Sequence, residues 1–457
     1  MNAAIEVAVR ALAHAAAAAD EAEVSVHSER SGLARFAGSV QHQPTLVEDT
    51  IVTVRAVRDR RVGVAVTNRT GDDGLRQVAA RAADAAEGMR ADPDFPGLPK
   101  PPTTTPSTDG YDDETAALGP AEQARLAAAA IAATGDTPAY GFFTSGTTEL
   151  AVASTTGLET SQSVTDATVL VLAAAEGLSG YATQTSSAVS GVDPEASGTE
   201  AATKAARTTG AGALEPGVYR AVLEPYALGE MLQYFAWDSF GALGFLEERS
   251  YLAGRIGKRI FDETVSIADD AIDANGLPKA FDFEGVAKQR VPLVEDGVAR
   301  GVVWDRRTAK RAGGDARTTG HAPPAALQAY GPLAFAISMA GGDAESVDDL
   351  VSAVGDGIYV TRVHYLGIVD PRGGVLTGTT RDGTFRIRDG RIAEPLVNLR
   401  FTVAVPNMLT DVPALSRRVT LVNQSDFYGE RYPYGALVPG IATAHFNITG
   451  SGSTPGI

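Results

Sequence analysis

The stretch TIVTVRAVRDRRVGVAVTNR, residues 50–69, carries the signal that decides the fold class. Two runs rich in β-branched residues lie on either side of the charged segment RDRR, residues 58–61. Such a pair of runs around a short polar connection is typical of a β-hairpin. The hairpin favours a fold with antiparallel strands over an alternating parallel α/β fold.

Helical patterns lie on both sides of this hairpin. Residues 1–23 have a helical period, and Glu6 and Arg10 interrupt the apolar run that a signal peptide would need. Residues 23–43 alternate like two strands around a turn that contains glycine, and residues 72–89 return to a helical period. The first unit is therefore predicted to be helix, strands, helix, and the protein is expected to be cytoplasmic.

A second unit with the same plan follows a linker. Proline, threonine and aspartate dominate residues 91–113, which cannot hold a regular element, and the linker is placed at 93–115. A helical segment, AEQARLAAAAIAAT, precedes strand patterns over residues 147–189, and DPEASGTEAATKAARTTGA closes the unit as a helix. The two units share no repeat at the level of residues, so a duplication stays open.

The third region holds a helix followed by short strands and turns. Its Asp-Gly sequences, VEDGV at 294–298 and IRDGR at 387–391, indicate hairpin turns. We therefore predict an α+β fold in which antiparallel strands dominate. The predicted division is an N-terminal α+β domain (1–92), a linker (93–115), a middle α+β domain (116–216) and a β-rich C-terminal domain (217–457).

Composition excludes several function classes. The 457 residues carry a net charge of −17, and a protein that binds nucleic acid needs a basic surface to displace counterions from phosphates. The chain has no cysteine, which excludes disulfides, thiolate metal sites and cysteine nucleophiles. No apolar run reaches the length of about 18 residues that a membrane span requires. Arginine far outnumbers lysine and alanine is abundant, a bias associated with GC-rich bacterial genomes.

Motifs for catalysis are weak. Among the histidines, no two have the helical spacing of a hydrolytic zinc site and none is followed by glutamate. A site assembled from the distant His321, His364 and His445 with carboxylates stays open. The segment GSGST at Gly450 misses the last glycine of a serine-hydrolase elbow, and GRIGKRI and GAGALE miss the phosphate-binding and dinucleotide patterns.

The segment ALGEMLQYFAWDSFGALG, residues 227–244, opens with a helix that has two different faces. One face is apolar, and its helical spacing joins Leu228, Met231, Leu232 and Phe235. The other face is aromatic and polar, and it comprises Tyr226, Glu230, Gln233 and Trp237, with Tyr234 and Asp238 beside them. Such a strip suits a partner interface or a channel for extended peptide, or it is ordinary half-buried packing.

Several segments of the chain, in order, resemble the TldD/PmbA family, whose two chain types are called TldD and TldE. The segments that carry the resemblance are ASGTEAATKAA, SYLAGRIGKRIF, FDFEGVAKQRVPLVEDGVARGVVWDRRTAKRAGG, TTGHA and DGIYVT. No single segment is decisive, but the ordered set is specific. The resemblance covers most of the chain.

The resemblance also indicates which positions would carry a metal. TldD-type chains have the motif His-Glu-x-x-x-His on the first helix of the large domain and a cysteine near a C-terminal hairpin. Counting from GRIG and from Pro225 places the motif at Gln233, Tyr234 and Asp238, and the cysteine falls near Arg381. Every position is replaced, so the helix looks like a zinc-motif helix without its ligands.

The resemblance therefore implies a TldE-type chain that is not itself catalytic. Its expected partner is a TldD-like zinc peptidase chain, so that zinc lies in the partner and this chain holds no cofactor. The expected assembly is a dimer that degrades or trims unfolded peptides, including natural-product precursors, without nucleic acid or membrane. Residues Tyr226, Glu230, Tyr234 and Trp237 are the candidates for contact with partner or peptide. The alternative is a stand-alone peptide-binding module or an enzyme with an atypical site.

Overall fold

The first half of the chain is a sheet covered by helices. A computed structural model of the protein describes residues 3–104, 107–175, 177–425 and 429–451. The elements of this half are α1 (Ala3–Ala16), β1 (Glu21–Ala37), β2 (Val40–Arg58), β3 (Arg61–Thr67), α2 (Asp72–Gly88), α3 (Asp113–Ala116), α4 (Pro120–Ala133), β4 (Ala139–Ser154), β5 (Glu159–Ala175), β6 (Leu178–Ser186) and α5 (Pro194–Ala206). The six strands are antiparallel in the order β3-β2-β1-β4-β5-β6.

The hairpin predicted at residues 50–69 is confirmed as β2 and β3. Asp59 and Arg60 form its turn with φ values of 46° and 62°. Two consecutive residues with positive φ are the mark of a type I′ turn, whose twist matches that of the paired strands. The Asp-Gly turns of the third region are confirmed in the same way, since Asp296 and Asp389 also have positive φ.

The two predicted helix–strand–helix units share one continuous sheet. Strands β1 and β4 pair antiparallel from Glu23 opposite Ser154 to Phe36 opposite Gly141. Each outer strand approaches a helix through a glycine, because a Cβ on Gly63 would lie 2.2 Å from the Ala82 carbonyl oxygen and one on Gly180 would lie 2.1 Å from that of Ala201. The division of the chain into domains stays a prediction, but strands on both sides of the linker belong to one layer.

The second half is built on a larger sheet. Its elements are β7 (Gly217–Leu223), α6 (Pro225–Ser239), α7 (Ala242–Leu246), β8 (Ile267–Asp269), β9 (Val291–Glu295), β10 (Val298–Ala299), α8 (Arg306–Ala312), β11 (Ile337–Met339), α9 (Val347–Val354), β12 (Gly357–Asp370), β13 (Val375–Arg388), β14 (Arg391–Leu396), β15 (Leu399–Ala404), α10 (Val405–Met408), β16 (Ala414–Asn423) and β17 (Gly435–Ser451). Among its pairings, β11–β17 and β7–β12 are parallel and the others are antiparallel. The predicted α+β class with mainly antiparallel strands is therefore confirmed.

Buried ion pairs join the two halves. The Arg431 guanidinium binds both oxygens of the Asp166 carboxylate on β5, at 2.9 Å from Nε and 2.6 Å from Nη2. Both side chains are almost completely buried. On β2, Arg55 lies 2.9 Å from Glu284 of the second half. A bidentate arginine–carboxylate pair fixes orientation as well as distance, so these contacts hold the first sheet in place on the second half.

Within the described ranges, no helix is both long and apolar enough to cross a bilayer.

Candidate functional site

Helix α6 buries the apolar face that the sequence predicted. It begins at Pro225, whose missing N–H and fixed φ suit the first helical position. Leu228, Met231, Leu232 and Phe235 are each at most 2% exposed and belong to the main core of the second half. The position of α6 is therefore fixed by burial against the sheet, and its other face is held rigidly.

The predicted aromatic and polar strip faces a cavity of about 290 Å³. Tyr226, Glu230, Tyr234 and Trp237 all line it, as their helical spacing requires. The facing wall is formed by residues from distant parts of the chain, namely Tyr181, Arg362, Val422, Asn423, Gln424 and Ser425. The structure thus brings the four candidate residues together, while their role in contact with partner or peptide stays a prediction.

Four aromatic side chains line the cavity. The rings of Tyr234 and Trp237 lie 4.9 Å apart between centroids, tilted by 43°. Tyr181 and Tyr226 meet edge to face with centroids 5.4 Å apart. Such pairs gain energy beyond their area and limit each other's rotation. The walls are therefore pre-formed.

Glu230 is the carboxylate of this cavity. It accepts no hydrogen bond and forms no ion pair in the described part of the chain, although most of its side chain is buried. Burial raises the pKa of Glu230 to about 7, and the positive charge of Arg362 opposes this shift only in part. A carboxyl group without a partner is costly to ionise, so this position is available for a ligand that supplies a positive charge.

Arg362 already has partners. Its Nε lies 2.8 Å from Oδ2 of the fully buried Asp382, and its guanidinium carbon lies 4.2 Å from the ring centroid of Tyr181. Sequence reasoning missed all three residues. The sequence signal that could have indicated this site is the Asp-Gly pair at 382–383, which interrupts a strand pattern. In the structure both residues have positive φ.

Three candidate positions do not line the cavity. Helical spacing placed Gln233 on the polar strip, but this is wrong, because its side chain is completely buried and donates from Nε2 to the Ala334 carbonyl at 2.9 Å. Arg381 lies on β13 opposite Arg362, with Nε 3.8 Å from Oδ1 of Asp382. Asp238 is half-buried near the end of α6, and burial raises its pKa against the opposing effect of Arg249.

A second cavity, of about 580 Å³, lies on the other side of Tyr226. Three of its charged groups satisfy one another. The Lys204 Nζ lies 2.6 Å from Glu200 and 2.7 Å from Glu224, and the Tyr359 hydroxyl donates to Glu224 at 2.6 Å. This network ties α5 to β12 and leaves none of these charges for a ligand.

The histidines that left a metal site open are separated. His321 is buried, and its Nε2 lies 2.8 Å from Asp269 while Nδ1 lies 2.9 Å from the Thr319 hydroxyl. His364 lies on β12 and His445 on β17. In the described ranges, no three side chains of the metal-binding types come together in a way that could hold an ion.

Comparisons with known proteins agree with this architecture. Residues 216–450 match the family model of the PmbA/TldA metallopeptidase C-terminal domain, and residues 22–86 match PmbA/TldA metallopeptidase domain 1. A metalloprotease of Methanothermobacter thermautotrophicus is 30% identical over 230 residues, which are 48% of this chain and 47% of that protein. The chain spans less than half the length of the curated relatives it matches.

Two solved structures share the fold over nearly their whole length. TldE from Thermococcus kodakarensis aligns with a TM-score of 0.86 at 19% identity, covering 97% of this chain and 100% of that one. A putative modulator of DNA gyrase from Thermotoga maritima aligns with a TM-score of 0.82 at 18% identity, covering 97% and 99%. At these identities the likeness establishes the fold.

Proposed function

We propose that this chain, which belongs to the PmbA/TldD metallopeptidase family, is the TldE-type subunit of a two-chain peptidase assembly. In this assembly a TldD-type partner holds the zinc ion, and the present chain supplies binding surface. The proposed substrates are unfolded peptides, among them precursors of peptide natural products.

The observation that carries the proposal is the burial and hydrogen bonding of the Gln233 side chain. This residue stands where the family resemblance places the first zinc-binding histidine. Its amide is buried and bonded to the Ala334 carbonyl, so the side chain is part of the packing between α6 and the segment before β11. A glutamine held in this way does not suit a zinc ion, which prefers imidazole, thiolate or carboxylate ligands in tetrahedral geometry.

The other replaced positions support the same proposal. Tyr234 stands at the motif glutamate, and its ring packs on Trp237. Arg381 stands near the cysteine position and brings a positive charge, which disfavours a cation nearby. Asp238 retains a carboxylate at the second histidine position, but one such ligand does not build a zinc site. These residues do not fit zinc, and no catalytic step is assigned to the metal in this chain.

The shape and lining of the cavity beside α6 support a binding role. The cavity beside α6 has rigid aromatic walls and a carboxylate without a partner. Aromatic residues are enriched at protein contacts because they bury a large area with few rotatable bonds. Contact of this face with the partner chain or with threaded peptide is therefore part of the proposal.

The test is reconstitution with a TldD-type chain from the same genome, identified by His-Glu-x-x-x-His and a downstream cysteine. We expect the two chains to co-purify, and an unfolded peptide to be cleaved only when both are present. Cleavage should stop on addition of a chelator. Chelator-sensitive cleavage by the present chain alone, in a preparation free of other peptidases, would contradict the proposal.

A further inference from the structure

Two polar groups in the cavity beside α6 lack hydrogen-bonding partners in the described part of the chain. One is the carboxylate of Glu230, which forms neither a hydrogen bond nor an ion pair there. The other is the indole Nε1 of Trp237, which is buried and donates to no acceptor. The two residues are seven positions apart on one helix, so both side chains face the same space. A buried donor without a partner, beside a partly buried carboxylate that no protein cation in the described ranges pairs, marks a place where a ligand can supply both partners.

The surrounding rings define the charge of that ligand. Tyr181, Tyr226, Tyr234 and Trp237 present aromatic surface to the cavity. The faces of such rings attract cations, most strongly where water is excluded. A carboxylate among aromatic rings is thus complementary to an ammonium group.

Arg362 does not make the cavity an anion site. Its Nε lies 2.8 Å from Asp382, a carboxylate it shares with Arg381, and one face of its guanidinium covers Tyr181. Glu230 has no comparable partner. Arg362 is therefore held by Asp382 and Tyr181, and Glu230 is the acidic side chain that lines the cavity itself.

We propose that this cavity binds a primary ammonium group of a peptide, with Glu230 as its counter-ion and the four aromatic side chains as its walls. The Trp237 indole then donates to a carbonyl next to that ammonium group, as the first peptide carbonyl lies next to a free amino terminus. The inference rests on the proposed function in peptide processing, and it names the group that is recognised. A lysine side chain has the same ammonium chemistry, and the experiment separates the two sources.

The experiment uses Trp237 as its own reporter. The chain has two tryptophans, and Trp304→Phe leaves Trp237 as the single indole. Trialanine amide, N-acetyl-trialanine amide and N-acetyl-Ala-Lys-Ala amide are titrated into this protein, with fluorescence and calorimetry as readouts. N-acetyl-trialanine, which carries only a carboxylate, is the anionic control.

We expect trialanine amide to bind and its acetylated form not to bind. Binding of the lysine peptide in place of trialanine amide would assign the ammonium to a side chain. Glu230→Gln keeps the size of the side chain and is expected to weaken binding by about tenfold or more. Glu263→Gln, at an exposed position in the same half of the chain, is the matched control and should bind as the parent does.

Equal binding of the free and acetylated peptides, or binding by Glu230→Gln equal to that of the parent, would overturn the inference. Absence of binding by both ammonium peptides would also overturn it, provided that circular dichroism shows the parent fold. Each of these results leaves the proposed function standing if the chain still assembles with a TldD-type partner. The two proposals can therefore fail separately.

Discussion

The Gln233 side chain donates a hydrogen bond of 2.9 Å from Nε2 to the main-chain carbonyl of Ala334, inside the core of the second half. Removing it by Gln233→Ala leaves that carbonyl without this donor and opens a cavity. We expect the free energy of unfolding to fall by about 2–3 kcal/mol. Urea denaturation is the measurement, with the exposed Gln77→Ala as control. Equal midpoints for the two variants would contradict a structural role for Gln233.

The purified chain is expected to retain far less than one zinc ion per molecule after dialysis. A tight site needs three or four nitrogen, sulfur or oxygen ligands held together. Gln233 is bonded to the main chain, and the chain has no cysteine to complete such a set. Elemental analysis provides the number. A full equivalent of zinc that resists a mild chelator would be the contrary result.

The two faces of α6 are expected to respond differently to truncation. Leu232→Ala and Phe235→Ala remove fully buried side chains and should lower the free energy of unfolding by about 2–5 kcal/mol each. Tyr234→Ala and Trp237→Ala should instead weaken assembly with the partner or peptide turnover while the isolated chain stays folded. The measurements are thermal melting and co-purification. If Trp237→Ala melts like Phe235→Ala and leaves assembly intact, the strip is ordinary core packing.

The stability of the protein is expected to fall as the pH rises from about 4.5 to about 7, because of the Glu230 carboxyl group. Burial raises the pKa of this carboxyl from 4.5 to about 7, so between these values the folded state holds a proton that the unfolded state has released. The contribution of this group to the free energy of unfolding is therefore fully present below pH 4.5 and is lost as the pH rises to about 7. The other groups that face it keep one charge state in this range, since a guanidinium stays protonated and the pKa values of Tyr181, Tyr226 and Tyr234 are raised.

Glu230→Gln tests this dependence. The variant lacks the titrating group, so its stability relative to the parent should increase between about pH 4 and about pH 8, by about 3 kcal/mol. Urea denaturation across this range gives the difference, with Glu263→Gln as the control. A constant difference between Glu230→Gln and the parent at all pH values would contradict the assignment.

The buried pair between Arg431 and Asp166 is expected to stabilise the docking of the first sheet. Asp166→Ala leaves the guanidinium without its bidentate partner, and loss of one member of a buried pair costs about 3–5 kcal/mol. The exposed pair of Arg388 and Glu394 is the control, and Glu394→Ala should leave the unfolding midpoint unchanged. Limited proteolysis of Asp166→Ala should also release the first half of the chain sooner. Equal midpoints for the two alanine variants would refute this assignment.

The sequence predicts the local elements well because their signals are local. The turn at Asp59 and Arg60 connects two runs whose pairing needs no distant information. The spacing of Tyr226, Glu230 and Trp237 likewise places them on one side of a helix whatever the rest of the chain does.

The residues on the facing wall of the cavity could not be predicted from the sequence. Tyr181 lies on β6 of the first half and Arg362 on β12 of the second, and only tertiary packing brings them both to α6. The prediction that the Gln233 side chain lies on the polar strip of α6 fails for a related reason. A polar side chain predicts an exposed face, but here tertiary packing supplies a carbonyl partner that permits its complete burial.

The pairing of β1 with β4 has a consequence for synthesis of the chain. Strand β1 leaves the ribosome about a hundred residues before β4 does, so its open edge must wait for a partner. An exposed strand edge recruits other chains unless charges interrupt it. Glu29 and Arg30 stand in the middle of β1, opposite Thr148 and Thr147 of the later strand. We expect these two charges to limit aggregation of the nascent chain until its own β4 emerges.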